Sequence, residues 1–331
     1  MPNPYISGTG FFLPPRVVTN DELSSYMDTT DEWIQERTGI KERRYVEKGV
    51  GPSDLAIPAT EQALKAAGLT VSDIDFIIFA TSTPDFYAPG SGCVLQEKMG
   101  FNEIGALDIR VQCSGFIYGL SIAEQYIRTG NFKNILLIGA EVQSTAMNLT
   151  DEGRDTAIIF GDGAGAAIIS ATDENRGILS THMHSEGKYL KELWLEAPAS
   201  NAGHPRITRE VLDEGKQYLK MNGKEVFRHA ITRFPEVINE ALEANNLTSE
   251  NINLLIPHQA NLRITQMVQK RLGLSNDQVF SNIHKYGNTT AATIPIALAE
   301  AFNEGRIKEG DILVLAAFGA GFTWASAIMK W

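Results

Sequence analysis

Short apolar runs punctuate the chain. Phe76–Ala80, Ile135–Ile138, Ala166–Ile169, Leu254–Ile256 and Ile312–Leu315 contain no polar residue. Runs of this length suit strands covered on both faces of a sheet. Longer amphipathic stretches lie between them, among them Leu120–Thr129 and Thr293–Asn303. Gly305 follows the second, at a position where glycine terminates helices. Strand-like runs alternating with helix-like stretches predict an α/β fold.

The pattern also repeats. Ala63–Ile78 aligns without a gap on Ala241–Ile256, 178 positions later. Tyr126–Lys133 matches Ala301–Lys308 at a spacing of 175, and a strand-like run follows each copy. One match alone is what two amphipathic helices give by chance. Two in the same order predict a duplicated αβ unit. The expected halves are residues 1–172 and 173–331, packed face to face about a pseudo-twofold axis.

At the 175 spacing Cys113 falls on Asn288, and each precedes its half's helix. The expectation is a thiol and a carboxamide at equivalent helix N-termini. There the partial positive charge favours a thiolate and free N–H groups bind an oxyanion. His258 follows Leu254–Ile256 and Pro257, at the carboxyl edge of a strand, where α/β sheets gather ligands. Cys113 has small polar neighbours, Gln112, Ser114 and Gly115, which favours chemistry over packing. Cys93 reads as a packing residue. The other histidines have no comparable context. Gly8-Thr-Gly10 runs into Pro14-Pro15, so no dinucleotide-binding helix follows it.

Composition narrows the class. The chain has 331 residues, 43% hydrophobic and 21% charged, which excludes disorder. Two cysteines twenty positions apart make neither a disulfide scaffold nor a metal site. The formal charge of −11 argues against nucleic acid. No apolar run approaches the ~20 residues of a membrane span, and the start shows no secretory pattern. A cytoplasmic enzyme with reduced thiols and no metal is expected.

Several motifs in order carry a family resemblance. They are Thr30–Ile34 with Arg37–Ile40, Cys113–Phe116, Phe160–Ala166, Pro257–Arg263, Tyr286–Thr290 and Phe318–Trp324. Together they resemble β-ketoacyl-acyl carrier protein synthase III, the initiating condensing enzyme of bacterial fatty acid synthesis, over essentially the whole chain. The resemblance implies the thiolase-like fold, two αβαβα halves in a five-layered core. It implies a triad of Cys113, His258 and Asn288. Cys113 would take an acyl group from acyl-CoA. His258 and Asn288 would both donate to the thioester oxygen of malonyl-acyl carrier protein. The backbone N–H groups of Cys113 and Ala320 would form the oxyanion hole, with Ala320 replacing the family's glycine. Trp33, Arg37, Arg154, Gly223 and Asn261 would bind coenzyme A. Arg228, Arg263, Lys270 and Arg271 would form a basic patch for the acidic carrier protein. A homodimer is implied, and no cofactor, because acyl-CoA is a substrate.

The family's pocket-closing phenylalanine falls at Ala88 here, which predicts a roomier acyl pocket unless Phe86 or Tyr87 fills it. Two rivals remain at this level. One is a related condensing enzyme of a specialised-metabolite pathway using longer acyl-CoA. The other is a Cys-His-Asn hydrolase, whose cysteine-to-histidine spacing the chain shares.

Overall fold

A computed structural model describes residues 1–331. The apolar runs become two sheets. The first takes its strands from residues 3–172, in the order Asn3–Phe12, Gly163–Thr172, Asn134–Glu141, Phe76–Ala80 and Gly105–Ile109. The second takes Gly177–Ser185, Thr323–Lys330, Ile312–Gly319 and Leu254–Pro257. Both have the same sense, with two antiparallel pairings followed by a parallel one. A lone parallel bridge from Leu255 to Val279 stands where the first sheet has its fifth strand.

Helices make the other three layers. Pro52–Ala67 and Ser91–Met99 cover the outer face of the first sheet. Gly223–Ala244 and Leu262–Leu272 lie outside the second. Gly115–Arg128 and Thr293–Asn303 fill the space between the sheets. The largest buried cluster joins Ile78, Phe116 and Leu120 of one half to Leu254, Leu298 and Leu313 of the other. The centre is therefore common to both halves. This is the five-layered α-β-α-β-α arrangement.

The duplication extends to local detail. Val71–Asp73 and Ser249–Asn251 are 3₁₀ turns 178 residues apart, each with a capping box, at Thr70 and Thr248. Such boxes satisfy the free N–H groups of the turn. The long edge strand Asn3–Phe12 was not anticipated from the apolar pattern. Its Gly8 and Gly10 admit the outer helix so closely that an added Cβ would lie 2.2 Å from the carbonyl oxygen of Ala63 or Ala59.

One alignment expectation is corrected. Gln112–Ser114 and Thr290–Ala292 are matching 3₁₀ turns, and the central helices begin at Gly115 and Thr293. Gln112 and Thr290 share a left-handed backbone, with φ 43° and 51°. Every pair is 178 apart, so the counterpart of Cys113 is Ala291, not Asn288. The second central helix is three residues shorter, and that deficit produced the spacing of 175. Asn288 lies before the turn, held by backbone bonds to Ile159 and Gly161.

Candidate active site

A cavity of about 780 Å³ opens between the second sheet, its outer helices and the segment around Trp33. Cys113, His258 and Asn288 line its inner end, and each is almost wholly buried. Cys113 sits in the 3₁₀ turn before the first central helix. The backbone N–H groups of Cys113 and Ala320 both reach its sulfur. Gly319 makes room, because a Cβ there would lie 2.6 Å from Cys113 Cβ and 2.9 Å from Sγ.

The expected thiolate is not the resting form. Burial pushes the Cys113 thiol up to about 12, the buried Glu141 carboxyl adds to the shift, and the two N–H bonds oppose it only partly. Desolvation outweighs the helix end here. His258 is shifted the other way. Burial drives it down to about 3, so its imidazole is neutral at ordinary pH. Its backbone N–H donates to Ala316 O at 2.7 Å, fixing it beyond the strand end. Nδ1 lies 2.6 Å from Thr293 Oγ1, and Nε2 is buried without a partner. Asn288 Oδ1 accepts the Thr290 N–H at 2.8 Å. That bond orients the amide and leaves Nδ2 as the available donor. In the resting site Asn288 is thus a donor, and His258 has a nitrogen still to be satisfied.

The residues expected to bind coenzyme A line the same cavity. Thr30 caps the helix Asp31–Thr38 by accepting from Trp33 N at 3.1 Å. Arg37 and Arg154 both lie against the Trp33 ring, 4.1 and 4.7 Å from its centroid. Asn261 caps Leu262–Leu272 and donates to Arg37 O at 2.9 Å. Gly223 begins the helix Gly223–Ala244 and also lines the cavity. All five proposed coenzyme A residues therefore share one opening with the triad.

The basic residues are exposed on the two helices outside the second sheet. Arg263 lines the cavity mouth. Arg228 is paired with Glu225 at 2.5 Å. Arg271 donates to the Ile231 carbonyl of the neighbouring helix, and Lys270 is on the same last turn.

The loop 83–90 is not brought to the cavity. Phe86, Tyr87 and Ala88 do not line it and are exposed, with Phe86 and Tyr87 at 57% and 63%. Asp85 anchors the loop through Ser53 at 2.6 Å and Ser91 at 3.1 Å, and Arg206 covers Tyr87. These contacts hold its tip on the outer surface. Cys93 is likewise exposed, not a packing residue.

Sequence reasoning missed Thr293 and Glu141. Thr293 looked like an ordinary helix residue. Glu141 is fully buried at the end of an apolar strand, where it accepts from Ser82, Thr83, Gln143 and the Ala291 N–H. It faces Ala291, 178 residues after Cys113, just as Gly319 faces Cys113. The pseudo-symmetry makes two equivalent recesses, one holding the thiol and one filled by the carboxylate.

The comparisons agree with this geometry. Models of the 3-oxoacyl-[acyl-carrier-protein] synthase III family match residues 107–187, and its C-terminal region matches 242–331. A β-ketoacyl-[acyl-carrier-protein] synthase III from Caldanaerobacter subterraneus is 46% identical over 326 residues, covering 98% of this chain and 97% of that one. The chain belongs to this synthase III family. It is a condensing acyltransferase of fatty acid synthesis, and the hydrolase reading falls away. The synthase III crystal structure from Aquifex aeolicus matches with a TM-score of 0.90 at 40% identity, covering 99% of this chain and 100% of that one. The priming β-ketosynthase of the R1128 polyketide pathway also matches, with a TM-score of 0.90 at 30% identity, covering 99% and 96%. No helix is long and apolar enough to cross a membrane.

Proposed function

We propose that the cavity runs the synthase III reaction in two half-reactions through an acyl-Cys113 intermediate. Acyl-CoA enters as substrate, with its nucleotide end at Trp33, Arg37, Arg154, Gly223 and Asn261. The Cys113 sulfur attacks the thioester carbonyl, coenzyme A leaves, and the acyl group stays on the sulfur. The Cys113 and Ala320 N–H groups hold the tetrahedral oxyanion. Malonyl-acyl carrier protein then loses carbon dioxide while the Asn288 amide and a protonated His258 Nε2 hold its thioester oxygen. The carbanion attacks acyl-Cys113, giving 3-oxoacyl-acyl carrier protein. No resident cofactor or metal is invoked.

The supporting observation is the convergence on one sulfur of two backbone donors, in the cavity that His258 and Asn288 also line. Mass spectrometry after mixing with acyl-CoA tests it. The acyl mass belongs on Cys113, and its absence there overturns the nucleophile assignment.

The carrier protein docks on Arg228, Arg263, Lys270 and Arg271, a local cationic face on a chain of net charge −11. The outward loop 83–90 supports a homodimer in which each loop reaches the partner's acyl pocket, with Ala88 leaving that pocket wide. Two free cysteines fit a cytoplasmic enzyme. Priming a specialised pathway with longer acyl-CoA is the second reading, favoured by Ala88 and by the polyketide priming relative. Condensation rates with acetyl-, butyryl- and octanoyl-CoA separate the two, and a strong acetyl preference removes the second.

A further inference from the structure

Thr293 begins the second central helix, with its hydroxyl between two groups. One is His258 Nδ1 at 2.6 Å, and the other is the Thr290 carbonyl oxygen at 3.0 Å. Both Thr293 and His258 are about 2% exposed, so water is no alternative partner. A hydroxyl has one proton, and a carbonyl only accepts. Both contacts are hydrogen bonds only if Thr293 donates to Thr290 O and accepts from a proton on Nδ1. Buried polar groups are satisfied wherever geometry permits. The neutral imidazole then has no proton on Nε2, the unpartnered atom beside the cavity.

We propose that Thr293 is a positioning residue that fixes the Nδ1–H tautomer of His258 and so makes Nε2 the proton acceptor of the acylation half-reaction. This rests on the assignment of Cys113 as nucleophile. The Cys113 thiol proton moves to Nε2, and the sulfur electron pair forms a bond to the acyl carbonyl carbon. The carbon–sulfur bond to coenzyme A breaks, its electrons leave with the coenzyme A thiolate, and solvent at the mouth protonates that thiolate. His258 is now doubly protonated. Nδ1–H remains on Thr293, and Nε2–H is the donor that the malonyl thioester oxygen needs. When the carbanion attacks acyl-Cys113, the expelled cysteine thiolate takes the Nε2 proton back. One proton thus travels from Cys113 to His258 and returns once per cycle. The cycle consumes one proton from solvent, which neutralises the charge brought in by the malonyl carboxylate and leaves on the coenzyme A thiol. The left-handed turn at Thr290 supplies the carbonyl that aligns Thr293, so the strained entry to the second helix serves the first helix's thiol.

Nitrogen-15 NMR of histidine-labelled resting enzyme reads the tautomer directly, with the His258→Ala spectrum as assignment. A protonated Nδ1 and bare Nε2 are expected, and the reverse overturns the proposal. Single-turnover acylation by acyl-CoA without carrier protein reads the consequence. Thr293→Val is expected to slow acylation about 10²-fold, the low end of what a positioned base supplies, with coenzyme A affinity unchanged. Thr293→Ser keeps the hydroxyl and is expected to stay near the parent rate. Wild-type acylation rates in Thr293→Val overturn the proposal, as does a serine variant as slow as the valine one. An unacylated Cys113 in the wild type instead fails the reading beneath it, and this inference with it.

Discussion

Gly319 has a measurable role beside the proposed nucleophile, Cys113. Its missing side chain is what lets Cys113 lie against the strand end. Gly319→Ala should displace the sulfur from the Cys113 and Ala320 N–H groups. Misplacement of about 1 Å costs on the order of 10²-fold, so acylation per folded molecule should fall by at least that order, and overpacking against the buried Cys113 should also lower the melting temperature. His258 makes a second prediction. Its folded value of about 3 is below its ordinary 6.5. Below pH 6.5 the unfolded chain binds a proton that the folded one refuses, so this stability is present above 6.5 and lost as pH falls toward 3. Glu141 runs oppositely. It is raised from 4.5 to about 7, and its contribution is present below 4.5 and lost as pH rises through 7. His258→Asn should therefore melt with a flatter acid limb than the wild type, and Glu141→Gln with a flatter slope between about 4.5 and 7. Thermal denaturation across pH checks both. That Cys113, His258 and Asn288 belong together was suggested in the sequence by the small polar neighbours of Cys113, the strand before His258 and the family resemblance, and the three line one cavity. Their protonation states were not legible there. Burial decides those, and burial is a property of the assembled cavity.

At the scale of elements, the five apolar runs located five of the nine strands of the two sheets. Phe76–Ala80 matched its strand end to end. Asn3–Phe12 escaped because its glycines and polar residues break the apolar run. Those glycines are packing sites, so Gly10→Ala should cost about 1–3 kcal/mol, as overpacking does. Chemical denaturation reads this, and activity per folded molecule should stay constant. The duplication was visible, but its register at the active site was not. A helix one turn shorter in the second half looks like a changed offset in sequence. Only the paired left-handed residues Gln112 and Thr290 reveal where the halves coincide.

Across the whole molecule, net charge and local charge oppose each other. In the proposed docking, an acidic carrier protein would approach against −11 and be captured by a small cationic face. Lys270→Glu with Arg271→Glu should raise the KM for malonyl-acyl carrier protein severalfold and leave acyl-CoA acylation unchanged. The difference should shrink at high salt, where the screening length falls to about 3 Å at 1 M. No effect at low salt would move the docking face elsewhere. The common centre has a consequence for the chain as a whole. A fragment ending near residue 172 would leave Phe116 and Leu120 bare, and its complement would leave Leu298 and Leu313 bare. Neither piece should be soluble by itself. Synthesised together they should recombine, and acylation of the thiol on one piece would then depend on the concentration of the other, turning one continuous enzyme into a two-component switch.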